Sequence, residues 1–224
     1  MERKAIILYG APGSGKGTQA NLLAQKLGLI HFDTGKFLEA IVHDPKRQKN
    51  ALVARERKLF DSGILNTPSF VLSHLKSQVK KIAGAGWGVI FSGSPRTLYE
   101  AKGLMPILEK LYKKHNIFVF ELDVPDSVPT KRNSVRLICT ICGSPLLTAF
   151  YPSKNPKHCP VCAGPFYRRT LDNAKTIKVR LGEYQKRTQV IFKLLTDRNY
   201  HVHKIDGTPP PYIVFEHINK FIKK

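Results

Sequence analysis

The sequence predicts an α/β fold in which a parallel β-sheet is flanked by helices. Residues 4–9 form a short, nearly continuous apolar run that ends at Gly10, a pattern typical of a buried parallel strand. Residues 17–27 follow with apolar positions at helical spacing. Short apolar runs then keep alternating with helical patterns, and this alternation favours parallel strands joined by crossover helices.

The remaining elements are predicted from the same two periodicities. Strands are expected at residues 29–32, 88–92, 117–124 and 201–205. Helices are expected at residues 70–83, at residues 172–195 and after the proline run 209–211. Two stretches interrupt the alternation: residues 34–72 indicate a small helical excursion, and residues 135–171 have the cysteine pairs, glycines and short turns of an insertion.

The composition indicates one large, folded and strongly basic domain. The chain has 224 residues, and its 42% hydrophobic content excludes wholesale disorder. Its 37 Lys and Arg against 16 Asp and Glu give a net charge of +21, which predicts attraction to polyanions such as nucleotides and nucleic acids. Because the basic residues are spread along the chain, a solvated basic surface with only weak affinity for RNA is the alternative.

The sequence also predicts a location. It contains no apolar run of about 18 residues, so no membrane-spanning segment is expected. Its first residues have no signal-peptide pattern. Together with the low number of cysteines, these observations predict a cytoplasmic protein.

A glycine-rich loop joins the first strand to the first helix. Residues 10–18 read G-A-P-G-S-G-K-G-T, close to the phosphate-loop pattern G-x-x-x-x-G-K-x-[ST]. Glycines let backbone N–H groups turn toward an anion, Lys16 reaches the terminal phosphates, and the helix N-terminus adds partial positive charge. Residues 13–18 are therefore predicted to hold the phosphates of ATP or GTP, and Thr18 to support a phosphate or a metal ion.

The four cysteines occur as two C-x-x-C pairs: Cys139, Cys142, Cys159 and Cys162. Their spacing is typical of a tetrahedral zinc site, and its role would be structural because four thiolates leave no position for water. Redox pairs or disulfides are alternatives that the expected compartment disfavours. Basic residues surround the cysteines in the sequence: Lys154, Lys157, Arg168 and Arg169. A zinc ribbon that binds nucleic acid therefore stays open.

Five segments resemble a known family. They are residues 10–20 (G-A-P-G-S-G-K-G-T-Q-A), 93–97 (G-S-P-R-T), 124–126 (V-P-D), 180–184 (R-L-G-E-Y) and 205–208 (I-D-G-T). With the cysteine pairs, they resemble the zinc-lid adenylate kinases, in the same order and over essentially the whole chain. The resemblance implies a monomer that catalyses ATP + AMP ⇌ 2 ADP with Mg²⁺ and that carries a structural Zn²⁺.

The resemblance implies three parts. The first is a phosphate-loop core of residues 1–33, 67–134 and 172–224. The second is a helical flap over the monophosphate, residues 34–66. The third is a zinc lid over ATP, residues 135–171.

The resemblance also implies the site residues. ATP would contact Gly13, Ser14, Gly15, Lys16, Gly17, Thr18, Arg132, Arg136 and Pro209. The nucleoside monophosphate would contact Thr34, Lys36, Ile64, Leu65, Asn66, Gly93, Ser94, Pro95, Arg96, Glu100, Arg169 and Arg180. Catalysis would depend on Lys16, Arg96, Arg136, Arg169 and Arg180. Converging cations suit this reaction because phosphoryl transfer spreads negative charge over the moving group.

The acceptor side departs from the family pattern at four positions. Lys36 stands in place of an acid, and Glu39 in place of an acceptor-binding arginine. Ser92 also replaces an acid, and Glu100 replaces the glutamine that reads adenine. We expect Lys36 to compensate for the lost arginine and Asp33 to supply an acid near the metal.

These departures leave two alternatives open. A carboxylate offers only acceptors, which suits the adjacent N–H groups of guanine, so Glu100 predicts GMP as an alternative acceptor unless its side chain faces solvent. The second alternative is a degenerate ATP- and zinc-binding protein that associates with RNA. The net charge of +21, the zinc ribbon and the altered acceptor pocket favour it.

Overall fold

A computed structural model of the chain describes residues 3–125, 127–146, 148, 151 and 156–222. Asp126, part of the family resemblance, and Lys154, part of the basic group near the cysteines, lie outside these described residues. Within the described ranges, no helix combines the length and apolar character needed to cross a membrane.

Strands and helices alternate along the chain. The strands are β1 (Ala5–Gly10), β2 (Leu29–Phe32), β3 (Gly88–Phe91), β4 (Ile117–Asp123), β5 (Leu137–Cys139), β6 (Pro145–Leu146), β7 (Phe166–Tyr167) and β8 (Val202–Asp206). The helices are α1 (Lys16–Leu27), α2 (Thr34–Val42), α3 (Ala51–Asp61), α4 (Pro68–Gly84), α5 (Leu98–Tyr112), α6 (Ser127–Ser134), α7 (Ala174–Glu183), α8 (Val190–Asp197) and α9 (Pro211–Ile222).

A parallel sheet with the strand order β2-β3-β1-β4-β8 forms the core, as the sequence predicts. The central strand β1 is buried along its length, and its side chains belong alternately to two apolar clusters. Ile6 and Leu8 pack with α1 and α9 on one face. Ile7 and Tyr9 pack with α4, α5 and α8 on the other. The predicted strands of this sheet are all present, with ends that shift by at most one residue.

The long helix predicted at residues 172–195 is divided. Helix α7 ends at Glu183, a wide π-helical turn spans Tyr184–Thr188, and α8 follows. The Tyr184 hydroxyl donates to Glu121 Oε1 at 2.8 Å, and the Thr188 hydroxyl donates to the Arg96 carbonyl at 3.0 Å. These contacts join the wide turn to β4 and to the loop after β3, and helical periodicity in the sequence does not report them.

Helices α5 and α6 lie where no helix is predicted. Proline and glycine weaken the helical signal in both, since Gly103 and Pro106 fall inside α5 and Pro129 inside α6. Helix α5 nevertheless has a sequence-encoded start. Thr97 is its N-cap, and its hydroxyl accepts the backbone N–H of Glu100 at 3.2 Å.

Residues 34–66 and residues 135–171, the predicted flap and the predicted lid, have different secondary structure. The flap contains α2, a 3₁₀ turn (Pro45–Arg47) and α3, and α4 begins at Pro68 after the helical excursion that the sequence predicts. The lid contains a small antiparallel sheet with the order β6-β5-β7. The buried apolar side chains of the lid sheet are few, chiefly Ile138 and Leu146, so this sheet has little hydrophobic core of its own.

Candidate active site

A cavity of about 1050 Å³ opens at the carboxyl ends of the central strands. Its lining includes Gly10 at the end of β1, Asp33 after β2, Ser92 after β3 and Gly207 after β8. Parallel α/β sheets bind ligands at this edge. The cavity brings together every predicted nucleotide-binding and catalytic residue except Lys36, whose side chain is directed elsewhere.

The glycine-rich loop forms one wall of the cavity. Lys16 Nζ donates to the carbonyl oxygens of Gly10 at 2.6 Å and Ala11 at 2.8 Å. Gly15, the N-cap of α1, has a φ of 100° and provides no side-chain cap. The first N–H groups of α1 are therefore available to an anion, as the phosphate-loop pattern predicts.

Positive charge is concentrated in this cavity. Desolvation, followed by the charges of Arg96, Arg180 and Arg136, holds the pKa of Lys16 well below its usual value. Desolvation and then the charges of Arg96, Arg169 and Arg136 lower the pKa of Arg180 to about 9. These mutual effects mean that the five cations face one another across the cavity, an arrangement that a bound polyphosphate would stabilise.

Asp172 organises two of these arginines. Arg136 donates to the two carboxylate oxygens of Asp172 at 2.8 and 2.5 Å, in a bidentate pair. Arg180 Nη1 lies 3.8 Å from the same carboxylate. The Asp172 side chain is only 4% exposed, so it holds the guanidinium groups from a fixed position at the junction of the lid and α7.

Several buried polar atoms at the cavity have no hydrogen-bond partner within the described part of the chain. They are Tyr9 Oη, Thr34 Oγ1, Ser94 Oγ, the side-chain amide of Asn133 and Arg180 Nη1. Buried polar groups without partners are rare in folded proteins. Their concentration on one cavity therefore indicates that a polar ligand completes the site.

On the predicted donor side, Arg132 makes internal hydrogen bonds. It donates to the carbonyl of Gly207 at 2.9 Å and to that of Thr208 at 3.0 Å. These bonds fix the loop before Pro209 against α6, and Pro209 lines the cavity. Arg132 thus shapes the wall beside Pro209, where the resemblance implies that ATP binds.

On the predicted acceptor side, the segment 64–66 lines the cavity. Hydrogen bonds to Glu183 and Glu56 fix its position. The Leu65 N–H donates to Glu183 Oε2 at 3.0 Å. The Asn66 amide donates to the carbonyl and the carboxylate of Glu56, at 2.8 and 3.0 Å. The Asn66 amide nitrogen is therefore directed into the protein, while the backbone of this segment borders the cavity.

Glu100 lines the cavity but is only 1% exposed, so its side chain does not face solvent. Its Oε2 accepts the Arg96 backbone N–H at 2.7 Å, and its Oε1 accepts the Thr97 hydroxyl at 2.9 Å. Thr97 and Glu100 therefore cap the start of α5 reciprocally, but the carboxylate accepts the Arg96 N–H and not the Thr97 N–H of a standard capping box. Burial raises the pKa of Glu100. Both oxygens have internal donors, an arrangement that the substitution pattern alone does not predict.

Lys36 and Glu39 reach from the flap to the lid. Lys36 Nζ donates to the Gly143 carbonyl at 3.4 Å, beside the first cysteine pair. Glu39 Oε2 accepts from Arg169 Nη2 at 3.0 Å. Lys36 is therefore not among the residues that border the cavity. The expectation that Lys36 replaces the lost arginine at the acceptor is not met by this arrangement.

Ser92 belongs to a hydrogen-bonded chain that the sequence did not indicate. His31 Nε2 lies 2.7 Å from Ser92 Oγ, and His31 Nδ1 lies 2.6 Å from Asn21 Oδ1. Desolvation lowers the pKa of His31. The Asn21 side-chain carbonyl can only accept a hydrogen bond, so neutral His31 donates to it through Nδ1. His31 Nε2 then accepts a hydrogen bond from the Ser92 hydroxyl. The position of His31 two residues before Asp33 was the available signal.

The four cysteine sulfurs form a compact group. All of them lie within 4.8 Å of one another, with Cys139 Sγ 3.4 Å from Cys162 Sγ and Cys142 Sγ 3.7 Å from Cys159 Sγ. A tetrahedral zinc ion with Zn–S bonds of about 2.3 Å separates its ligands by about 3.8 Å, so this group fits Zn²⁺. The Gly143 N–H donates to the Cys139 carbonyl, in the tight turn that the spacing predicts.

Comparisons with known proteins identify the family of the chain. The family described as adenylate kinase matches residues 8–200. The chain is 34% identical over 219 residues to the adenylate kinase of Methanothrix thermoacetophila, and the alignment covers 98% of both proteins. It is also 34% identical to the adenylate kinases of Methanosarcina mazei, over 219 residues, and Elusimicrobium minutum, over 221 residues, again with 98% of each protein covered. The chain therefore belongs to the adenylate kinase family.

Proposed function

We propose that this protein transfers the γ-phosphoryl group of ATP to AMP, in the reaction ATP + AMP ⇌ 2 ADP. Membership of the adenylate kinase family supports ATP-dependent nucleoside monophosphate kinase activity. The observation that carries the proposal is the convergence of Lys16 and four arginines on one cavity at the phosphate loop. Their charges would stabilise the negative charge of the transferring group.

The cations have separate tasks in this reaction. Lys16 and the N-terminus of α1 bind the donor phosphates, and Arg96 binds the acceptor phosphate. Arg136, Arg169 and Arg180 close on the transferring group, and Arg169 and Arg180 also contact the acceptor monophosphate. Transfer is direct and in line, without a covalent intermediate, so the protein positions the two nucleotides and neutralises charge.

The flap, residues 34–66, and the lid, residues 135–171, close over the two nucleotides in this proposal. Closure excludes water, which would otherwise accept the γ-phosphoryl group. The lid contributes Arg136 and Arg169 to the cavity, so closure also completes the set of cations.

Adenylate kinases use Mg²⁺ with ATP, and we propose that Asp33 and Thr18 face the ion here. Both residues line the cavity. Desolvation lowers the pKa values of Lys16 and Arg96, and the negative charge of Asp33 partly offsets this lowering. An oxygen-rich surrounding of this kind suits Mg²⁺, which would neutralise phosphate charge when bound. Ser92, bonded to His31, does not provide a carboxylate at this position.

We further propose that Cys139, Cys142, Cys159 and Cys162 hold a structural zinc ion. Their sulfur geometry fits tetrahedral coordination, and all four ligand positions would be filled by protein. Monomeric state and cytoplasmic location stay predictions.

The test is ADP formation by the zinc-loaded protein with Mg-ATP and each of AMP, GMP, CMP, UMP and dTMP. We expect the highest kcat/KM with AMP. Lys16→Met should lower kcat roughly 10²- to 10³-fold, the cost of removing one donor to a transition-state oxyanion. Lys26→Met removes an exposed lysine from the same helix and should leave kcat unchanged.

Other outcomes separate the alternatives. Preferential phosphorylation of GMP would identify an altered acceptor, which the internal bonds of Glu100 disfavour. Absence of transfer to every acceptor, with tight binding of ATP, would contradict kinase activity and favour the RNA-associated alternative.

A further inference from the structure

We propose that Glu39 of the flap competes with the acceptor phosphate for Arg169 of the lid. This inference rests on the proposed function, because it concerns the monophosphate site of that reaction. It assigns Glu39 as a positioning residue that holds Arg169 in the nucleotide-free protein and releases it when the monophosphate binds.

The contact joins two segments that are far apart in the sequence. Glu39 Oε2 lies 3.0 Å from Arg169 Nη2, across a sequence separation of 130 residues. The Arg169 side chain is 13% exposed and that of Glu39 is 34% exposed. The pair is thus partly shielded from water, and its Arg169 member also lines the cavity.

Helix α2 presents two polar side chains toward the lid. Lys36 and Glu39 are three residues apart and lie on the same side of the helix. Lys36 donates to the Gly143 carbonyl, and Glu39 accepts from Arg169. On the other side of α2, Leu38 and Val42 are buried in the main apolar cluster. The contacts of Glu39 and Lys36 with the lid therefore start from a well-anchored helix.

Arg169 differs from the other cavity arginines in the source of its carboxylate. Arg136 and Arg180 face Asp172, which lies between the lid strands and α7. Arg96 is near Glu100, on the helix that follows it. Within the described residues, Arg169 is the one of these four arginines whose carboxylate partner lies on the flap, so this partner moves with the element that would cover the monophosphate.

A phosphate dianion and the Glu39 carboxylate require the same guanidinium edge. Two anions on one guanidinium edge repel each other, so acceptor binding must break or weaken the Glu39–Arg169 pair. Because the pair stabilises only the nucleotide-free state, its removal should tighten acceptor binding and leave donor binding unchanged.

The first measurement is AMP binding to the zinc-loaded full chain by titration calorimetry. Glu39→Gln should lower the Kd and the KM for AMP about two- to fivefold, the upper part of the range expected for one partly exposed ion pair. The KM for ATP should stay within twofold. Asp61→Asn, which removes an equal charge from the flap at a residue paired with His43 and Arg57, is the matched control and should change neither constant.

A double-mutant cycle tests the pair itself. In an Arg169→Met background, which will weaken AMP binding, Glu39→Gln should no longer tighten it, because the competing partner is absent. A gain of the same size in that background would overturn the proposal, since Glu39 would then act only by long-range electrostatic repulsion of AMP.

Hydrogen–deuterium exchange of the nucleotide-free protein provides a readout that needs no catalysis. Glu39→Gln should speed exchange in α2 and in residues 137–146, and Asp61→Asn should not. Unchanged exchange in Glu39→Gln, or equal acceleration by the control, would overturn the proposal. If the wild type binds no AMP, the proposed function fails, and exchange alone still decides whether Glu39 holds the flap to the lid.

Discussion

Glu56 is a buried carboxylate that joins α3 to the start of α4. Its Oε2 accepts the Thr67 backbone N–H at 2.8 Å and the Asn66 amide at 3.0 Å. Its Oε1 accepts the Thr67 hydroxyl at 2.5 Å and Arg55 at 3.0 Å. Burial raises the pKa of Glu56, but the hydrogen bonds from Thr67, Asn66 and Arg55 outweigh it and hold that pKa below its usual value. The charged form therefore stabilises the fold.

Glu56→Gln should reduce the free energy of unfolding by about 2 kcal/mol at pH 7, because an amide donor would face donors. A carboxyl group with a lowered folded pKa contributes stability above its unfolded pKa of about 4.3 and loses it as the pH falls through the folded value. The difference between wild type and variant should therefore shrink below about pH 4. Urea unfolding, followed by the fluorescence of Trp87, measures it.

Glu216→Gln, at an exposed position of α9, is the control and should change stability by less than about 0.5 kcal/mol. An equal loss in Glu56→Gln at pH 7 and at pH 3 would mean that the charge of Glu56 contributes nothing.

At the scale of elements, we expect the lid to depend on the cysteine group more than on packing. Its strands are two or three residues long, and few apolar side chains are buried in the described part of the lid. The turns after Cys142 and Cys162 place Gly143 and Ala163 at φ values of 68° and 58°. A metal ion would hold these turns together, since a hydrophobic core of this size contributes little.

Zinc removal should disorder the lid and leave the core folded. We expect one zinc ion per chain by elemental analysis, and loss of it with a chelator should expose residues 135–171 to limited proteolysis. The KM for ATP should rise, because Arg136 would lose its fixed position. The unfolding midpoint of the core, followed by Trp87 in the turn before β3, should fall by less than about 4 °C, which corresponds to about 1 kcal/mol in a chain of this size.

Cys142→Ser should reproduce the effect of the chelator, whereas Ser134→Ala, just before the lid, should not. Retention of an intact lid after quantitative removal of zinc would show that packing alone holds it.

At the scale of the whole molecule, basic residues exceed acidic ones by 21 (37 − 16). Part of this excess surrounds the cavity, where it suits nucleotide phosphates. Much of the remainder is exposed on separate elements, for example Lys49, Lys80 and Lys110. A distributed surface charge attracts polyanions without a defined contact set, so the attraction should be screened by salt.

The protein should bind a heparin resin at low salt and elute near physiological ionic strength, about 0.15 M. Elution is compared without and with bound nucleotide. This comparison distinguishes heparin binding at the cavity from heparin binding at the exposed basic surface. Retention far above physiological salt with a steep dependence on salt would instead indicate a dedicated nucleic-acid surface, as the RNA-associated alternative requires.

The sequence by itself determined the parallel sheet, the phosphate loop and the cysteine group. These features depend on local patterns: apolar runs between polar turns, glycines at fixed spacing, and paired cysteines. The division of the helix after Glu183 was not predictable, because the wide turn depends on contacts of Tyr184 and Thr188 with β4 and the loop after β3.

Only the tertiary structure decided which partners the altered acceptor residues have. Glu39 meets Arg169 across 130 residues, and Lys36 meets the Gly143 carbonyl across 107. Glu100 makes local hydrogen bonds at the start of α5, yet its burial depends on packing around α5. Charge substitutions are visible in a sequence, but their energies depend on distance and desolvation, which only the folded chain fixes.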